Sequence, residues 1–190
     1  MAALRLVTGK DEMSALPTEQ RRAMQSAWVV DDIEAACLKW VETTGIGPFY
    51  IFPHLQLEVS YRGKPSTIDF SVASAQAGDV QIELIQQHCD TPSAYRDQFK
   101  RGEQGHHHMA IYVADYDAAL AHYTNQGFVA ATAGLFGEMR FCYVDTRDAI
   151  GCMIEIIQHD PIQDAIFERI SEGAKNWDGV TDPIRQGMPE

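Results

Sequence analysis

Ala27-Trp28-Val29-Val30-Asp31-Asp32-Ile33-Glu34-Ala35-Ala36 returns later in the chain as Ala110-Ile111-Tyr112-Val113-Ala114-Asp115-Tyr116-Asp117-Ala118-Ala119. The shared pattern is small, apolar, apolar, Val, any, Asp, apolar, acid, Ala, Ala, without a gap and 83 positions apart. A second pair follows in the same order, Ile82-Glu83-Leu84-Ile85-Gln86 and Ile154-Glu155-Ile156-Ile157-Gln158, 72 positions apart. The later half is therefore eleven residues shorter between the two segments (83 against 72). Two matched segments in one order point to an internal repeat.

Each first segment reads as a strand that runs into a helix. An apolar stretch ends at Asp32 or Asp115, and a carboxylate there suits a helix N-cap because it accepts the unpaired backbone N–H groups of the first turn. Apolar residues then recur at helical spacing, Ile33, Ala36, Cys37 and Trp40 in one half and Tyr116, Ala119, Leu120 and Tyr123 in the other. Gly45 and Gly127 follow as stop signals. The remainder of each half reads as strands over 49–54, 67–74 and 79–87, then 129–134, 139–145 and 152–158, with turns between them. Each half is thus β-α-β-β-β, and the fold class is α+β with two tandem modules. The organisation expected is a polar leader over 1–22, a first module with its linker over 23–103, a second module over 104–160, and a C-terminal helix and tail over 161–190. Within the last, 161–172 begins with Pro161 and spaces Ile162, Ile166 and Ile170 four apart, as an amphipathic helix does. The tail from 173 is polar and is expected to drape over the surface.

The repeat also places chemistry in register. Seven residues before Asp115 stands His108, and seven before Asp32 stands Gln25. Glu83 and Glu155 each fall in the middle of an apolar strand. An ionised carboxylate among Ile and Leu is costly unless something compensates it. Two of them at equivalent places suggest one shared partner on a pseudo-twofold axis, and a divalent cation fits that role. Pairing with Arg140 or Arg96 is the competing reading. A slip in register would substitute His106 or His107 for His108, and period-two alternation puts His107 on the opposite face.

Composition excludes other classes. A net charge of −12 is the wrong sign for a phosphate backbone or an anionic membrane surface. No apolar run approaches the ~20 residues that span a bilayer. MAALRLVTGKDEM breaks into charge before a signal-peptide core develops. Cys37, Cys89, Cys142 and Cys152 form no C-x-x-C pair and sit mostly in apolar runs, as free thiols of a reducing compartment do. A cytoplasmic location is the expectation.

Over residues 23–159 the chain resembles the vicinal-oxygen-chelate superfamily, which includes glyoxalase I, methylmalonyl-CoA epimerase, extradiol dioxygenases and bleomycin- or fosfomycin-resistance proteins. His107-His108-Met109-Ala110, continuing to Val113 and Asp115, is similar to the epimerase pattern, in which the second His binds metal. Gly47-Pro48-Phe49 resembles a glyoxalase-like subgroup. The resemblance implies an open curved sheet around a central site, with Gln25, Glu83, His108 and Glu155 as metal ligands. These are the residue types of eukaryotic glyoxalase I in the same order, whereas epimerases more often begin with His. Three oxygen donors and one imidazole suit Zn, Ni, Co, Mn, Fe or Mg. The implied function is an isomerase, epimerase or lyase that moves a proton next to a carbonyl, with Glu155 as base and Glu83 as its counterpart. A metal-free binding or resistance protein and an extradiol dioxygenase are the alternatives. Gln25 where a second His is wanted speaks against the dioxygenase. The implied partner is a small-molecule substrate, with a homodimer left open. Arg62, Lys64, Arg96, Lys100 and Arg101 could receive a carboxylate or phosphate, or be solvated loop charges. Phe49, Tyr50, Phe52, Phe70, Phe136, Phe141 and Tyr143 fall on strands that could line the sheet for an apolar or aromatic substrate.

Overall fold

The computed structural model describes Pro17 and residues 22–186; the rest of the expected leader, and the last four residues of the tail, lie outside that range. The first repeat segment becomes β1 (Ala23–Val29) and α1 (Ile33–Thr44), followed by β2 (Phe49–Tyr61), β3 (Lys64–Ala77) and β4 (Val80–Gln87). After a short α2 (Ala94–Gln98), the second half repeats that order with β5 (Gly105–Val113), α3 (Tyr116–Thr124), β6 (Ala130–Phe136) and β7 (Met139–Val144). A single turn, α4 (Arg147–Ile150), precedes β8 (Met153–Gln158). Then come α5 (Pro161–Lys175) and β9 (Ile184–Gln186). The fold is mixed α+β and dominated by its sheet. No described helix is long and apolar enough to cross a membrane.

Both expected caps form. Asp32 accepts from Ala35 N at 3.0 Å and Asp115 from Ala118 N at 2.9 Å. Gly45 ends α1 at φ 73°, a left-handed conformation that only glycine enters without a Cβ clash. α3 instead ends at Asn125, with Gly127 two residues beyond.

β2 and β3 are longer than the sequence predicts. Leu55, Leu57 and Val59 alternate with polar residues, and Arg62 and Gly63, both at positive φ, form a turn tight enough to pair Tyr61 with Lys64. α2 and α4 were not legible, being too short to show periodicity. The tail departs from expectation too: β9 pairs in parallel with Phe49–Ile51 of β2, because that stretch of edge would otherwise leave backbone groups unpaired.

The strands follow the order β3-β4-β1-β5-β8-β7-β6-β2, and β2 also pairs with β3, so the sheet closes on itself. An open sheet was expected. Closure comes from the C-terminal end of β2, where Val59–Tyr61 reach across to Thr132–Gly134 of β6. The ring sorts side chains by alternation. Ile82 and Leu84 point outward beneath α1 with Ile33 and Cys37. Ile154 and Ile156 do the same beneath α3 with Tyr116 and Ala119. The inner face carries a third apolar cluster that includes Val29, Phe70, Ile85, Phe141 and Met153.

Candidate metal centre

Alternation that sends Ile82 and Leu84 outward must send Glu83 inward, and Glu155 follows the same rule between Ile154 and Ile156. Gln25 lies on β1 opposite Gln81 of β4, and His108 lies on β5 opposite Ala27. Their strands, β4-β1-β5-β8, are consecutive neighbours in the ring.

The structure brings all four side chains together inside one chain. Gln25 Nε2 donates to Glu83 Oε1 at 3.1 Å. His108 Nε2 stands 3.0 Å from Glu155 Oε2 and 3.6 Å from Glu83 Oε2. Donor atoms of Glu83, His108 and Glu155 all lie within 4.8 Å of one another. The competing arginine pairs do not form. Arg140 is bidentate on Asp117, at 3.1 and 2.7 Å, and Arg96 donates to the carbonyls of Gln87 and Cys89.

His107 contradicts its expected placement. It is fully buried on the same side as His108 because β5 bulges there: Ala27 pairs with His108 but Trp28 pairs with His106. The extra residue in a bulge cancels one step of alternation. His106 turns away, edge-on to Trp28 and 3.1 Å from Ser26 Oγ. His107 Nδ1 meets His108 Nδ1 at 2.9 Å, and its Nε2 faces the Ala94 carbonyl at 3.1 Å. Two tyrosines complete the surroundings, with Tyr95 Oη 2.9 Å from Tyr143 Oη. Tyr143 is the register partner of Glu155 across β7 and β8, and its hydroxyl draws that carboxyl down. Tyr95 had no signal in the sequence, since its place depends on α2.

Burial governs the charge states. Desolvation, reinforced by Glu155, holds the Glu83 carboxyl well above the ordinary carboxylate range. Desolvation pushes Glu155 up to about 8, against the pull of the Tyr143 hydrogen bond. It also pushes His108 down to about 3. The His108–Glu155 contact has ion-pair distance, yet burial drives both partners to their neutral forms. A divalent cation reverses this, because it offsets both carboxylates at once. The atom that tests the fit is His108 Nε2: it is buried and makes no hydrogen bond, although Glu155 Oε2 and Glu83 Oε2 stand 3.0 and 3.6 Å away. A buried ring nitrogen without a hydrogen bond, this close to two carboxylates, fits a cation.

A second group, His54, Asp69 and His88, also has donor atoms within 4.8 Å, at the rim. Its imidazoles are stacked 4.1 Å apart at 25°, so no single point lies in both ring planes at ligand distance. As arranged it does not chelate.

A cavity of about 120 Å³ opens over Gln25, Glu83, Glu155 and Tyr143. Phe52, Phe70, Phe136 and Phe141 line it, as expected, while Phe49 and Tyr50 do not. Ile166, Phe167 and Ile170 of α5 supply one wall, and among the described residues no Lys or Arg contributes. Of the basic residues singled out in the sequence, Arg62 is held between Asp97 and Asp145 and Arg101 on Asp90.

Comparison with known proteins agrees with this architecture. The methylmalonyl-CoA epimerase of Mycobacterium tuberculosis superposes with a TM-score of 0.53 at 21% identity, covering 80% of this chain and 98% of that one. A hypothetical protein of Bacillus halodurans gives 0.50 at 19% identity, covering 73% and 94%. At such identities the likeness is one of fold. No curated protein matches the sequence. A family model, described as Glyoxalase/Bleomycin resistance protein/Dioxygenase superfamily, matches residues 24–143, which include Gln25, Glu83 and His108 but stop short of Glu155. With most of the chain matched to that model, the protein belongs to the glyoxalase/bleomycin resistance protein/dioxygenase superfamily.

Proposed function

We propose that the protein is a divalent-metal-dependent isomerase, epimerase or lyase that moves a proton next to a carbonyl of a small molecule. The observation that carries this reading is the convergence of Glu83, His108 and Glu155 within 4.8 Å, at the buried end of an apolar cavity. Gln25, Glu83, His108 and Glu155 would hold the ion, and the ion would supply Lewis-acid stabilisation to a carbonyl oxygen. Glu155, displaced from the ion or lying beside it, would take the proton as its carboxylate. Tyr143 orients that carboxylate. Glu83, from the other half, would deliver a proton of its own to the carbon, and Glu155 would release the one it took to solvent. The apolar wall excludes water and selects a substrate with an apolar or aromatic group. The cavity is close in size to the roughly 150 Å³ that holds benzene in an engineered core.

The two halves, 23–103 and 104–160, are read as tandem βαβββ modules about a pseudo-twofold axis. Their equal element order and equal pairing order, first strand beside last, support this. His108 is the one imidazole free to ligate at this centre, since His107 is held by Ala94 and His108. That favours proton transfer over iron-dependent ring cleavage.

Isotope exchange tests the reading on any carbonyl compound that enters the cavity, whatever product forms from it. Protein purified without chelator is analysed for metal, then incubated in D₂O with a panel of apolar and aryl carbonyl compounds. About one ion per chain is expected, with deuterium entering next to the carbonyl, loss of exchange on chelation and recovery on adding metal back. Glu155→Gln should fold and lose exchange by about 10²–10⁴-fold. Metal-free protein, or full exchange in the variant, would reject the mechanism.

A further inference from the structure

The three consecutive histidines divide the work at β5, and His107 has no role in the reaction proposed above. Its surroundings define one. The Ala94 carbonyl can only accept, so the His107 Nε2 that faces it at 3.1 Å must carry a hydrogen. His107 is fully buried, packed against the rings of Tyr95 and Tyr143, and bonded to no carboxylate. An imidazolium there would be an uncompensated buried charge, so the ring is neutral and its Nδ1 is a bare lone pair. That lone pair lies 2.9 Å from His108 Nδ1. Hydrogen bonding then requires the proton between them to sit on His108 Nδ1, which leaves His108 Nε2 without one. This is the nitrogen that stands 3.0 Å from Glu155 Oε2 and 3.6 Å from Glu83 Oε2.

We infer that His107 is a positioning residue that fixes the tautomer of His108, presenting Nε2 as a lone pair to a cation between Glu83 and Glu155. Ligating histidines commonly donate their other ring N–H to a carbonyl or carboxylate. Here the acceptor is a second histidine, and it is the linker between the halves that sets it. α2 is pinned to the end of β4, where Ser93 Oγ donates to Gln87 Oε1 at 2.6 Å. From the same helix Gln98 Nε2 donates to the His107 carbonyl at 3.2 Å. Thus the linker carbonyl of Ala94 orders one imidazole, and that imidazole orders the next. The bulge is what makes this possible, because regular alternation would put adjacent residues on opposite faces.

The inference rests on the metal reading, and the experiment separates the two. In metal-free protein with ¹⁵N-labelled histidine, NMR should find His108 protonated at Nδ1 and bare at Nε2. His107→Phe keeps a ring but offers no acceptor, so the His108 proton should move to Nε2 and zinc affinity should fall about 10–100-fold. His107→Asn, whose amide oxygen can sit near the lost Nδ1, should restore most of that affinity. An Nε2–H on His108 in the wild-type protein overturns the inference whether or not the variants fold. So does a folded His107→Phe variant that keeps both the tautomer and zinc affinity within about twofold. A wild-type protein with the expected tautomer but no zinc binding upholds the part given to His107 and removes the metal reading instead.

Discussion

Glu155 shows how one buried group couples protonation to stability. In the folded, metal-free chain its carboxyl is raised to about 8 from an ordinary 4.5, chiefly by desolvation. Between those values the folded protein holds a proton that the unfolded chain has already released. Folding stability must therefore fall as pH rises through that window. Chelator-treated protein should accordingly melt at lower temperature at about pH 8 than at about pH 6.5, a comparison that avoids the lower range in which His108, held down to about 3, acts in the opposite sense. Glu155→Gln should flatten the profile but not abolish its slope, since Glu83 is shifted in the same direction. With metal present the trend should invert, because the ion binds the ionised carboxylates and its stabilisation grows as they lose protons. Thermal melts across pH, with and without ion, check this; identical profiles for wild type and variant would count against it.

Among the elements, α5 lies outside the repeat and closes a side of the cavity with Ile166, Phe167 and Ile170. Asp160 caps it, accepting from Ile162 and Gln163 N at 2.9 and 3.0 Å, and Pro161 fills its first position. Its docking depends on the absence of a side chain. A methyl at Gly173 would lie 2.1 Å from Tyr50 Oη, and Tyr50 is 1% exposed with its hydroxyl held by Arg185 at 2.8 Å. Helix propensity alone would make Gly173→Ala stabilising by about 1 kcal/mol. Overpacking costs about 1–3 kcal/mol, so a net loss of stability is expected. In a Tyr50→Phe background the penalty should shrink, since the atom in the way is gone. Calorimetry on the four proteins of that cycle measures the coupling, and additive effects would show that α5 does not dock through this contact.

In the whole molecule, two jobs fall to opposite sides of the ring. The four consecutive strands β4-β1-β5-β8 carry Gln25, Glu83, His108 and Glu155, while closure falls to β2 and β6. Ser60 pairs with Pro65 on one side and Ala133 on the other, and its side chain is exposed. Ser60→Pro thus removes backbone pairing without touching the core. It should cost about 1–3 kcal/mol of stability while leaving zinc affinity within a fewfold of wild type. Affinity that collapsed with the ladder would mean that the centre depends on the closed ring and not on its four strands.

Much of this was legible because two segments of the chain repeat one pattern in the same order. The repeat located both strand–helix starts, both capping aspartates, and the register that singles out Gln25, Glu83, His108 and Glu155. Those inferences need only local periodicity and chain order. What stayed hidden was whatever depends on contacts between distant segments. The closure of β2 on β6, the pairing of β9, and the place of Tyr95 are long-range pairings that no local pattern encodes. The bulge at His107 is the sharpest case: alternation assigned that ring to the wrong face because a single extra residue, invisible in the sequence, reset the count. The sequence by itself determined which side chains the chain could offer to a cation. The tertiary structure decided how they face one another, because hydrogen-bond geometry and burial exist only once the strands have met.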